Sequence, residues 1–143
     1  MKTCTLFGDD DFDKSLHTQI RHTMIDLIEN YNVDLFYIGE TGMFNLTVAE
    51  TLEELSGIYS HIYYEIAVCN IPYRKYNILE IFFENLMLFG SEEGKTKEQV
   101  FKEMNEWMVS VSDYIVTYVR DYNGEASRLK SFAEKNEKTV IVL

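Results

Sequence analysis

Apolar positions along the chain follow two alternating patterns. Short, nearly continuous runs (KTCTLFG, VDLFYIG, YYEIAVCN, DYIVTYV and KTVIVL) carry Val, Ile, Leu, Phe and Tyr with little polar alternation and read as buried strands. Between them lie longer stretches with helical spacing. SLHTQIRHTMIDLIENY places Leu16, Ile20, Met24, Leu27 and Ile28 on one face, with Asp13 or Ser15 as the cap. NLTVAETLEELSGIY turns Val48, Leu52 and Leu55 inward, with Asn45 as the cap. KEQVFKEMNEWMVSVS and GEASRLKSFAEKN are two further helices. The apolar segment ILEIFFENLMLFG, residues 78–90, reads as a short helix or a flap. Strands that alternate with helices need crossover connections, hence a parallel sheet covered on both faces. The pattern predicts an α/β fold: a single doubly wound, five-stranded, parallel-sheet Rossmann-like domain over residues 1–143.

Composition narrows the function classes. The formal net charge is −11, which argues against general nucleic-acid binding and against anionic membrane surfaces. No apolar run is long enough to span a bilayer, and the opening MKTCTLFG is too short for a signal-peptide core. Cys4 and Cys69 lie inside strand-like runs without metal-ligand spacing and read as buried free thiols in a reducing cytoplasm. His17 and His22 are five residues apart on a helix and do not share the face that a zinc pair needs.

In an open parallel sheet, ligands bind beyond the carboxyl ends of the strands at the topological switch point. That rule selects the loops Gly8–Phe12, Gly39–Asn45, Asn70–Tyr76 and Arg120–Ala126. Three of them carry glycine before a helix, where backbone N–H groups and the helix dipole favour an anion. The loop after Gly8 runs DDDFD, which is not a GxGxxG fingerprint, and no GK[ST] follows. Asp9, Asp10 and Asp11 are either a solvated turn or an oxygen-rich cation site. No cofactor and no resident metal is expected.

The motif order resembles the SLOG superfamily, which includes DNA-processing protein A and the LOG phosphoribohydrolases, and within it the short YpsA-like branch. The resemblance rests on MKTCTLFGDDD, FYIGETGMFN, EMNEWMVSVSDYIVTYV and NGEASRLKSFAEKNEKTVIVL, in that order. It implies a nucleotide-like ligand and a homodimer or higher homo-oligomer. Asp9 and Asp10 stand where the family has His and Arg, Asn45 where it has Asp, and Glu125 where it has a second Gly. The PGGxGTxxE motif of the LOG enzymes is absent.

The expected ligand-binding residues are Gly8, Asp9, Gly39, Thr41, Gly42, Phe44, Asn45, Arg74, Asn123, Gly124 and Glu125. Phe12, Phe44, Tyr73, Tyr76 and Tyr122 supply aromatic surface near that edge, and Arg74, Lys75 and Arg120 its cations. Trp107 and Met108 read as core, and Asp113 as a structural residue at the opposite edge. The leading function is binding of a nucleotide or nucleotide-derived signalling ligand. One alternative is hydrolysis of a nucleotide N-glycosidic bond, with Glu125, Glu40 or Glu50 as the carboxylate. The other is a protein-interaction module with a degenerate pocket, using the apolar 78–90 segment.

Overall fold

A computed structural model describes residues 1–70, 86–90 and 95–143. The strands are β1 (Lys2–Gly8), β2 (Val33–Gly39), β3 (Tyr63–Asn70), β4 (Leu86–Gly90), β5 (Tyr114–Tyr118) and β6 (Thr139–Val142). The helices are α1 (Ser15–Asn30), α2 (Met43–Ile58), α3 (Lys97–Ser110) and α4 (Glu125–Lys135). All four helices, and every strand but β4, begin and end within two residues of the sequence reading.

The strands form one sheet in the order β4-β3-β2-β1-β5-β6, and every pairing is parallel. The sheet therefore has six strands, one more than expected. The added strand, β4, comes from the end of the 78–90 segment and pairs with β3 from Ile66↔Leu86 to Asn70↔Gly90. A five-residue apolar run suits a buried strand and a buried helical turn equally, so periodicity could not separate them. Residues 78–85 lie outside the described part.

Side-chain alternation builds two layers on the sheet. Leu6, Phe36, Ile38, Ile66, Val68 and Val116 share one core with the apolar faces of α1 and α2. Ala67 and Cys69 face α3, with Val100, Met104 and Met108, while Ile115 meets Leu129 and Ala133 of α4. The helices thus cover opposite faces, which makes the sheet doubly wound. The winding direction reverses where β1 lies between β2 and β5.

Local chemistry sets the helix ends. Thr96 and Gln99 close a capping box on α3, with bonds of 3.2 and 2.8 Å. Asp13 accepts the Ser15 N–H at 2.9 Å at the start of α1. Helix α4 ends in a Schellman motif: Lys138 N–H donates to the Ala133 carbonyl and Glu137 N–H to that of Glu134, both at 3.1 Å. Glu137 holds the left-handed position, φ 57°. At the amino edge, Asp113 pins β5 to β1. Its carboxylate accepts the Thr3 N–H at 3.0 Å and its own N–H donates to the Thr3 carbonyl at 2.8 Å. That is the structural role expected of it.

Candidate functional site

Three loops meet at the carboxyl edge beside the switch point, joined by two aspartates. Gly8 ends β1 with no side chain, and the Phe44 ring of α2 lies directly over it. A Cβ on Gly8 would stand 2.7 and 2.8 Å from two ring carbons. Asp9 turns its carboxylate to the loop after β5, accepting the N–H groups of Arg120 (2.6 Å) and Asp121 (2.8 Å). Asp10 accepts the Phe44 N–H at 2.8 Å and so caps α2 from a different loop. Gly42, at φ 95°, makes the turn that lets this happen, and a Cβ there would lie 2.7 Å from an Asp10 carboxylate oxygen.

These contacts replace two sequence expectations. Asn45 is not the cap of α2, because the left-handed turn at Gly42 starts the helix at Met43. Asp9 and Asp10 are more than a solvated turn: Asp10 is exposed and Asp9 half-buried, yet their carboxylates accept backbone N–H groups of neighbouring loops. Among the described residues, no group of three or more His, Cys, Asp or Glu side chains is placed to hold a metal.

Asn45 instead folds back. Its Nδ2 donates to the Thr41 carbonyl at 2.7 Å, tucked against Gly39, where a Cβ would come within 2.9 Å of the same nitrogen. Its Oδ1 is buried and has no hydrogen-bond partner. Above these loops, α3 and α4 close a cleft of about 240 Å³. Phe101, Met108 and Leu129 give it apolar walls, and Asn105 and Glu125 add polar groups. Asn105 is only 6% exposed and donates to Glu125 Oε1 at 3.3 Å.

Glu125 is held by Arg128, whose guanidinium reaches it at 2.5 Å and Glu106 at 3.5 Å. The hydrogen bond that Arg128 donates to Glu125 is the leading cause that raises Arg128 above the usual guanidinium value. Beyond Glu125 a second, wider groove of about 580 Å³ runs along α4. Lys102, Arg128 and Lys135 line it together with Tyr122, which is 83% exposed.

Of the residues expected at the site, Gly8, Asp9, Gly39, Thr41, Asn45 and Glu125 line the cleft together. Asn123 and Gly124 line the α4 groove, which Glu125 shares. Gly42 supports Asp10. Phe44 is 1% exposed, so its ring belongs to the core and offers no surface to a ligand. Phe12 packs edge-on against Phe44 and Tyr118. Glu40 is buried at 3% exposure, and Glu50 faces solvent on α2; neither lines the cleft. Arg74, Lys75, Tyr73 and Tyr76 lie outside the described residues. Trp107 packs against Tyr37 with ring centres 5.2 Å apart, and Met108 is buried at the cleft wall. The sequence reading missed the capping role of Asp10 and the contributions of Phe101, Lys102 and Arg128. The Glu125–Arg128 pair has a local signature, opposite charges at i and i+3.

No family model and no curated protein matches this chain. Among solved structures it is similar to DNA processing protein A from Helicobacter pylori, a structure described for its single-stranded DNA binding mode. The TM-score is 0.70 at 11% identity, over 99% of this chain and 64% of the other. That likeness shows a shared Rossmann-like fold of the DNA-processing-protein-A kind and does not single out the YpsA-like branch. The chain spans just under two thirds of that protein's length. The expected exclusion of nucleic acid does not stand beside this likeness, since a protein of this fold binds single-stranded DNA. The net charge of −11 is a whole-chain sum, whereas Lys102, Arg128 and Lys135 line one groove in which, among the described residues, Glu125 is the one carboxylate, paired with Arg128. No helix among the described residues is long and apolar enough to cross a membrane.

Proposed function

We propose that the protein binds a nucleotide or nucleotide-derived ligand in the cleft at the carboxyl edge of its sheet. The observation that carries this is the convergence, beside the switch point, of three loops and two helices on one cleft of about 240 Å³. Apolar walls with a few fixed polar groups are the usual make-up of a small-molecule site. Calorimetric titration with nucleosides, nucleotides, cyclic nucleotides and ADP-ribose tests the proposal. Heat that saturates with one of them, and is lost in Asn45→Ala, supports it; silence across the panel refutes it.

The alternatives have less support. A glycosidase needs a carboxylate turned to the substrate. Glu40 and Glu50 do not line the cleft, and Glu125 is bound to Arg128 and Asn105. The interaction module rested on residues 78–90, of which Leu86–Gly90 are spent on the sheet.

A second reading has its own observation. The α4 groove combines Lys102 and Lys135, beside the ion-paired Arg128, with the exposed Tyr122 ring, the pairing of charge and stacking surface that single strands require. Fluorescence anisotropy with a labelled oligodeoxythymidine at several salt concentrations tests it. Replacing Lys102 and Lys135 by Ala should weaken binding and flatten the salt dependence, by about 0.7 in slope for each phosphate no longer neutralised. An affinity that ignores both salt and these lysines removes the second reading.

A further inference from the structure

Three backbone donors that an anion could use at this edge are already taken by carboxylates of the chain itself. At the start of α2, the Phe44 N–H donates to Asp10 at 2.8 Å. In the loop after β5, the Arg120 and Asp121 N–H groups donate to Asp9 at 2.6 and 2.8 Å. The Asp10 carboxylate is pressed so close to the α2 turn that even a methyl group on Gly42 would meet it at 2.7 Å. Helix starts of this kind are where phosphates usually sit. Here a phosphate would find the Phe44 amide engaged and the Asp9 and Asp10 carboxylates beside the same cleft, with Glu125 already paired with Arg128. Like charges at such range repel.

Neutral hydrogen-bonding capacity, in contrast, is left open. The bond from Asn45 Nδ2 to Thr41 fixes the carboxamide, so that Oδ1 is a buried acceptor without a partner. From the other wall, Asn105 is almost fully buried yet makes one long bond, 3.3 Å to Glu125. Carboxamides both donate and accept, and they pair with the donor–acceptor edge of a base. The cleft, at about 240 Å³, is smaller than the usual drug-sized pocket and suits one ring system between Phe101, Met108 and Leu129.

We infer that the cleft selects an unphosphorylated nucleoside or free base, with Asp9 and Asp10 acting as built-in anions that exclude the phosphorylated form. This rests on the nucleotide-derived reading of the cleft. The test is calorimetry of the full chain with adenosine, guanosine, cytidine and uridine, each against its 5′-monophosphate. The expected result is at least one nucleoside bound tenfold or more tighter than its monophosphate. Asp10→Gly, which frees the Phe44 amide, should raise monophosphate affinity about tenfold and leave the nucleoside within twofold. If that variant does not fold, Asp10→Asn keeps a capping acceptor without the charge and should raise monophosphate affinity several-fold. A monophosphate that binds the unaltered protein as tightly as its nucleoside overturns the selectivity and leaves the nucleotide reading standing. An absence of binding by either series overturns both.

Discussion

Gly8 is where the packing of the site can be tested most directly. Its backbone is outside the left-handed region, so alanine meets no conformational barrier there. The added methyl, however, would lie 2.7, 2.8 and 3.0 Å from three carbons of the Phe44 ring. Comfortable carbon contacts are about 3.5–4.0 Å, so the ring must retreat by close to 1 Å. It has little room: Phe44 is 1% exposed and packs in the α1/α2 core with Phe12 against it. Overpacking a core in this way costs about 1–3 kcal/mol. The smaller entropy of the unfolded alanine chain offsets about 0.4–1 kcal/mol of that. The net loss should be about 0–2.6 kcal/mol, or a Tm lowered by up to roughly 8 °C in a chain of this size. Urea and thermal unfolding of Gly8→Ala, Phe44→Leu and the double variant form the assay. If the ring contact is the cause, the double variant recovers most of the Gly8→Ala loss, as a coupling of about 1 kcal/mol or more. A Gly8→Ala protein more stable than its parent, or strictly additive losses in the double variant, would refute the reasoning.

Two further outcomes follow from other parts of the fold. Glu137 ends α4 in a left-handed conformation that costs a non-glycine residue about 1–2 kcal/mol. Glu137→Gly should therefore raise stability by about 0.5–1 kcal/mol in urea unfolding, once the added flexibility of the unfolded chain is deducted; a loss would contradict the Schellman geometry. Burial pushes the Cys4 thiol well above its ordinary value of 9.0, and burial followed by the Glu53 hydrogen bond does the same to the Tyr64 hydroxyl, ordinarily 10.0. A raised folded value means the stabilisation is complete below the unfolded value and is lost as pH climbs toward the folded one. Stability should fall above pH 9, by up to about 1.4 kcal/mol per pH unit for the thiol alone. Cys4→Ala should lessen the slope between pH 9 and 10 in urea titrations, and an unchanged slope would clear the thiol. Iodoacetamide at pH 8 should leave both buried cysteines unmodified until the chain unfolds.

The periodicities were enough to place all four helices, five of the strands, the α/β class and the sheet edge where the candidate cleft opens. Each depends on a few neighbouring residues: one apolar face every three or four positions, or a continuous run that only a doubly covered sheet can bury. Six of the expected site residues do share the cleft, because glycines and polar residues at the ends of parallel strands are collected by topology alone. Pairings across the chain decided the rest. Asp10 caps a helix amide 34 positions away, and Asp9 holds amides 111 and 112 positions away. No local pattern distinguishes such carboxylates from solvated ones, nor shows that Phe44 turns under Gly8 while Asn45 turns toward the cleft. Two residues adjacent in sequence thus took opposite roles, one in the core and one at the site. Which carboxylates are consumed by backbone donors, and which carboxamides keep free capacity, depends on where distant loops are carried by the sheet. That long-range placement sets two of the protein's own carboxylates on backbone N–H donors at this edge.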